Sequence, residues 1–95
     1  MIRHVVLFTV PDPADRETVE AGLKLLQTNP HALRLEIRPN LKRDLWSNDI
    51  DFIVYGEFAD EAALDAYKAH PTYAASIETV RPRRGLRMAA DFRLD

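Results

Sequence analysis

The chain has 95 residues, 46% of them apolar and 29% charged, and a net charge of −2. That predicts one domain with a modest core, and the charge balance offers nothing to recruit nucleic acid or anionic lipid. Cysteine is absent, which excludes a disulfide scaffold, a thiolate nucleophile and a thiolate metal site. The opening apolar run is too short for a signal peptide and no stretch reaches membrane-spanning length, so a cytoplasmic protein without a membrane partner is expected.

Residues 2–10 predict a first strand, with His4, Val6, Phe8 and Val10 on one face and Val5, Leu7 and Thr9 on the other. Both faces are largely apolar and call for cover on both sides. A helix follows over 13–28, capped by Asp12 with Pro13 at its first position. Its buried stripe is Val19, Leu23 and Leu26, and Gly22 permits a close approach. Residues 32–39 alternate as a half-buried strand, Leu33, Leu35 and Ile37 inward. Residues 40–50 are a polar loop carrying the only tryptophan, Trp46.

A third strand spans 51–58, and Gly56 within it predicts a bulge or close packing by a helix. Asp60 caps a second helix that presents Ala63, Leu64 and Tyr67 on one face. Pro71 cannot donate an amide hydrogen bond and disfavours helical geometry at His70, so the helix breaks there. A shorter helix over 72–80 follows, then the basic run Arg81-Pro82-Arg83-Arg84-Gly85. The last strand alternates Leu86, Met88, Ala90, Phe92 and Leu94 with Arg87, Ala89, Asp91 and Arg93.

The order β-α-β-β-α-β predicts an α+β, ferredoxin-like fold: one four-stranded antiparallel sheet with helices on one face, in a single domain over 1–95. The other face, with Val5 and Leu7, stays apolar. Such a face marks an interface, which predicts a homodimer of face-to-face sheets.

Met1-Ile2-Arg3-His4-Val5-Val6-Leu7-Phe8, Tyr67-Lys68-Ala69-His70-Pro71 and Ala90-Asp91-Phe92 together resemble the stress-responsive A/B barrel domain family, within the dimeric α+β barrels. The resemblance covers essentially the whole chain. It implies a homodimeric α+β barrel and a cavity between sheet and helices in each subunit. One plant group of the family, the polyketide cyclases that form olivetolic acid, carries out an aldol-type cyclisation in that cavity with no metal or cofactor. Tyr67 matches their helix-borne tyrosine, His70 their His-Pro histidine and His4 a cavity histidine on the first strand. Their catalytic histidine falls on Tyr73 here, and a tyrosine is a poor base at neutral pH.

His4, Tyr67 and Tyr73 are the candidate catalytic residues. His4 reads either as a cavity base or as a core histidine satisfied by one hydrogen bond. Asp91, on the strand expected beside it, would hold one tautomer if register and facing allow. Tyr67 and Tyr73 read as donors to a carbonyl or enolate oxygen, or as amphipathic core residues. Candidate ligand contacts are His70, Phe8, Leu64 and Trp46, with His70 alternatively capping the broken helix and Trp46 serving as a lid or a packing residue. Arg81, Arg83, Arg84 and Arg87 form a patch that either steers a carboxylate or phosphate or simply favours the helix C-terminus. His4, His31 and His70 show no metal-ligand spacing, and no cofactor is expected. The expected function is a small-molecule-binding homodimer with a hydrophobic or aromatic ligand. The alternatives are a cofactor-free enzyme on an aromatic or polyketide-type compound, resembling a cyclase, isomerase or monooxygenase, and an interaction module with no useful cavity.

Overall fold

The computed structural model describes residues 1–95. Strand β1 (Ile2–Phe8) is followed by a 3-10 turn, helix α1 (Arg16–Lys24) and a second 3-10 turn. Strands β2 (Arg34–Pro39) and β3 (Phe52–Phe58) come next, then helices α2 (Glu61–Ala69) and α3 (Pro71–Val80), and strand β4 (Arg87–Arg93). The sheet is antiparallel in the order β2-β3-β1-β4, the ferredoxin-like arrangement expected from the element order. No helix is long and apolar enough to cross a membrane.

Alternation in β1 and β3 sorts the two sheet faces. Ile2, His4, Val6 and Phe8 are buried under the helices with Phe52, Val54 and Phe58. Val19, Leu23 and Leu26 descend onto them from the α1 segment, and Leu64, Tyr67 and Val80 from α2 and α3. Gly22 earns its place at the contact between α1 and α3. A Cβ there would stand 2.8 Å from Thr79 Cγ2 and 2.9 Å from Val80 Cγ2, closer than packed atoms come.

Four local expectations need correction. β1 ends at Phe8 rather than residue 10, because Pro11 follows, Thr9 bonds Gly85 and Leu86 in the segment before β4, and the Val10 amide donates to the Asp51 carboxylate instead of a strand partner. Gly56 lies in unbroken register opposite His4 and Leu35. Its missing side chain leaves room for the Phe58 ring, 2.7 Å from where a Cβ would sit, rather than for a bulge or a helix. Leu33 stands outside β2, which is an edge strand, and is exposed rather than inward. Helix α3 starts at Pro71, whose fixed φ suits a first helical position.

The last strand settles a question that alternation left open. Phe8 pairs with Arg87, Val6 with Ala89 and His4 with Asp91, and directly opposed residues share a face. The polar side of β4 is therefore the helix side. Met88, Ala90 and Phe92 join Val5, Leu7, Ile53 and Tyr55 on the open side, where Phe92 is 53% exposed.

Asp51 ties the end of β1 to the segments around it. The Val10 amide donates to its carboxylate at 2.6 Å, Lys42 at 2.9 Å and Arg16 at 3.1 Å, while its own amide donates to Phe8 O at 2.8 Å. Burial pushes this carboxyl up, but Lys42, the Val10 amide and Arg16 outweigh it and hold it below its ordinary value. Its contribution is therefore present above pH 3.8 and lost as pH falls through the depressed value. Asp51→Ala leaves a buried amide and two cations without their acceptor. Because both cations reach solvent, the expected cost is about 2–3 kcal/mol, read as a lower urea midpoint with unchanged slope.

Candidate functional site

A cavity of about 340 Å³ opens between the helix face of the sheet and α2–α3, at the low end of the range for small-molecule sites. Its apolar wall comes from Val6, Phe8, Leu23, Leu26, Val54 and Val80. Its polar atoms come from His4, Tyr67, Tyr73 and Ser76, and its cations from Lys68, Arg81, Arg84 and Arg87.

His4 is only 1% exposed. Its Nδ1 lies 2.5 Å from Asp91 Oδ1, as the cross-strand register requires. Asp91 accepts from Nδ1–H, which leaves the Nε2 lone pair free. Nothing in the chain bonds Nε2, yet no buried side-chain polar atom is orphaned, so Nε2 looks onto the cavity. The same holds for the Tyr67 hydroxyl, whose residue is 1% exposed and has no side-chain partner. Burial holds His4 below its ordinary value of 6.5, against the Asp91 hydrogen bond and charge, which raise it. The imidazole is thus a neutral acceptor at pH 7. Burial, with the neighbouring Tyr73 phenol, pushes Tyr67 upward, so its phenol stays a donor.

The helix break brings the two tyrosines together. His70 ends α2 and caps α3, its Nδ1 accepting from the Thr72 amide at 3.2 Å and facing Thr72 Oγ1 at 3.0 Å. Buried Asn29 donates to Tyr67 O at 3.0 Å and to Thr72 Oγ1 at 3.2 Å, pinning the corner from the α1 side. The Tyr67 ring then meets Tyr73 edge-on at 5.3 Å and His4 at 6.2 Å between centroids. Arg87 donates to the Tyr73 hydroxyl oxygen at 3.4 Å, leaving the phenolic hydrogen available to a ligand.

Of the residues singled out from sequence, His4, Tyr67, Tyr73 and Phe8 line this cavity together. Leu64 is buried in the core without lining it, and His70 is occupied as a cap. Trp46 is 97% exposed and lines no part of it, because its loop runs between β2 and β3 rather than beside α2–α3. Lys68, Ser76, Ile77 and Val80 escaped the sequence reading as site residues. Tyr73, Ser76, Ile77 and Val80 repeat at i, i+3, i+4 and i+7, so one helix face carried the signal. No group of three or more metal-ligating side chains comes together.

The pair has a spectroscopic consequence. Since Asp91 raises the His4 value against burial, Asp91→Asn is expected to lower it further, seen as a shifted imidazole titration by NMR. The folded state binds fewer protons on His4 than the unfolded chain does. Stability is therefore full above pH 6.5 and declines below it until the depressed value is reached, a decline that runs to lower pH and is larger in the variant. A His4 titration indifferent to Asp91→Asn would show that the two side chains do not pair in solution.

The comparisons agree with this architecture. No curated protein sequence matches the chain. A dimeric ferredoxin-like protein of unknown function from Thermobifida fusca is 29% identical, with a TM-score of 0.81 over 98% of this chain and 90% of that one. A dimeric ferredoxin-like protein of unknown function from Jannaschia sp. CCS1 superposes with a TM-score of 0.86 at 19% identity, covering 98% of each chain. A Dabb family protein with a ferredoxin-like fold from Mesorhizobium loti gives 0.80 at 23% identity, over 98% of this chain and 95% of that one. The model of the stress responsive A/B barrel domain matches residues 2–94, and with that span matched, the chain belongs to the stress responsive A/B barrel domain (Dabb) family.

Proposed function

We propose that this protein is a small-molecule-binding homodimer whose cavity moves a proton at a carbon beside a carbonyl, in an aromatic or polyketide-type compound. The observation that carries this reading is the His4–Asp91 pair on the wall of an otherwise apolar cavity. A buried neutral imidazole with a carboxylate behind it and a free nitrogen in front is a general base. In the proposed step Nε2 takes the proton, the C–H bond breaks and its electron pair moves onto the carbonyl oxygen. The Tyr67 and Tyr73 phenols donate to that oxygen as charge develops. Asp91 stabilises the imidazolium, which then returns its proton to the product. The enolate either attacks a second carbonyl of the same molecule or is reprotonated elsewhere, so cyclisation and isomerisation share this first step. Every group required is supplied by the chain.

The test is the exchange of α-protons of aryl ketones in D2O, followed by NMR. The wild type should exceed the buffer rate, His4→Gln should lose about 10²-fold or more, and Tyr67→Phe a comparable factor. Activity should rise with pH along a limb centred below 6.5, where His4 becomes neutral, and then level off. Equal exchange by wild type and His4→Gln overturns proton transfer at His4.

The homodimer reading rests on the open sheet face. Val5, Leu7, Ile53, Met88, Ala90 and Phe92 make an apolar surface bounded by the ion pairs of Arg34 and Arg38 with Glu36 and of Arg3 with Glu57. A patch of that kind with a charged rim suits a second copy of itself. Ala90→Arg places a charge within it, opposite Val5 and between Met88 and Phe92. In sedimentation equilibrium the wild type should be a dimer and the variant a folded monomer; a monomeric wild type rejects the interface.

A further inference from the structure

The cavity mouth carries more positive charge than the fold can use. Lys68 comes from α2, Arg81 and Arg84 from the turn after α3, and Arg87 from β4, so three separate parts of the chain bring cations to one opening. None of the four makes an ion pair, whereas most other cations of the chain do. No carboxylate lines the cavity. Asp91, behind the lining His4, is committed to that imidazole. Four like charges around a half-open hollow repel one another, in a chain that is acidic overall.

Helix capping does not account for them. Arg83 serves the C-terminus of α3, donating to Thr79 O at 2.8 Å and lying 3.9 Å from Asp15, and it does not line the cavity. Arg84 also makes one bond, to Gly85 O at 2.9 Å, but a guanidinium carries five donors and keeps others free. Lys68 stands in the last turn of α2, where a cation suits the helix dipole, yet its ammonium makes no hydrogen bond to the helix end, and Arg87 belongs to β4. The structure thus separates a patch that is uniform in sequence into one arginine turned to the helix and three turned, with Lys68, to the hollow.

We propose that the cavity takes an amphipathic anion. Its carboxylate or phosphate is held at the mouth by Lys68, Arg81, Arg84 and Arg87, and its apolar, carbonyl-bearing part lies inward against His4 and Tyr67. This rests on the reading of the cavity as a small-molecule site and names the class of ligand for it. The register supplies a length. Arg87 and Asp91 share the helix side of β4, four residues or about 13 Å apart along the strand. A ligand reaching from the mouth to His4 therefore has the dimensions of a substituted aromatic or short polyketide acid. Guanidinium groups suit this role because they bind planar and tetrahedral oxyanions through paired donors.

The test uses three probes with one apolar body: 2-naphthoate, 2-naphthyl phosphate and neutral 2-naphthamide. Titration calorimetry of the full chain at low salt should find at least one anion bound about tenfold or more tighter than the amide. The preference should shrink as salt is raised. It should vanish in the double variant Arg84→Gln/Arg87→Gln while amide binding persists. It should survive Arg43→Gln, which removes an unpaired arginine away from the cavity. A tighter naphthoate assigns a carboxylate ligand and a tighter naphthyl phosphate a phosphate ester. Equal binding of all three, or a preference that survives the double variant, overturns the anionic assignment and leaves the cavity reading intact. Binding of none overturns both.

Discussion

The pairing of β1 with β4 is the constraint on which the rest of this structure depends. It sets His4 against Asp91, and a buried imidazole needs such a partner. A slip of one residue would turn the apolar side of β4 under the helices and its charges toward the open face. A slip of two would leave Ala89 or Arg93 opposite His4. The chain holds the register at both ends. Leu86 N–H donates to Thr9 Oγ1, and Gly85 N–H to Thr9 O, while Leu94 N–H donates to Met1 O. Fold and candidate chemistry thus rest on the same ladder.

The second organising feature is the break between α2 and α3. In an unbroken helix, residues six positions apart lie about 240° around the axis, on largely opposite sides. Tyr67 and Tyr73 meet only because the chain turns at His70 and Pro71. The imidazole of His70 and the amide of Asn29 satisfy the groups exposed by that turn. His70 is therefore spent on the corner, and the corner delivers two phenols to the side of His4. The sheet below divides its two faces between different tasks. One is packed by helices around the cavity, and the other is left apolar and open.

Much of this was legible in the chain itself. Alternation read over 2–10 and 51–58 is realised over 2–8 and 52–58, Asp60 caps its helix, Asp12 caps a 3-10 turn ahead of α1 rather than the helix itself, and the break falls at His70-Pro71. The tyrosines were legible as candidates because they flank a helix break, and His4 because it matches a first-strand histidine of the family's cyclases. Trp46 and Leu64 misled for opposite reasons. A lone tryptophan in a loop has no periodicity to say which way it faces, and an apolar helix residue reads alike whether it lines a hollow or fills the core. Gly56 misled because its space is taken by Phe58, two residues on along its own strand, which no pattern of spacing reveals.

The sequence by itself determined the element order, the ferredoxin-like topology, the apolar open face and the family to which the chain belongs. The first three follow from periodicity along single elements and from their order, and the family from the likeness of the opening strand, the His-Pro corner and the closing strand to its members. Tertiary structure alone decided that Asp91 faces His4, that four cations from three parts of the chain surround one opening, and that Arg83 stands apart from them. These facts depend on inter-strand register and on side-chain direction at an edge strand. Both alternating sets of β4 are compatible with its local pattern, and only pairing with β1 chooses between them.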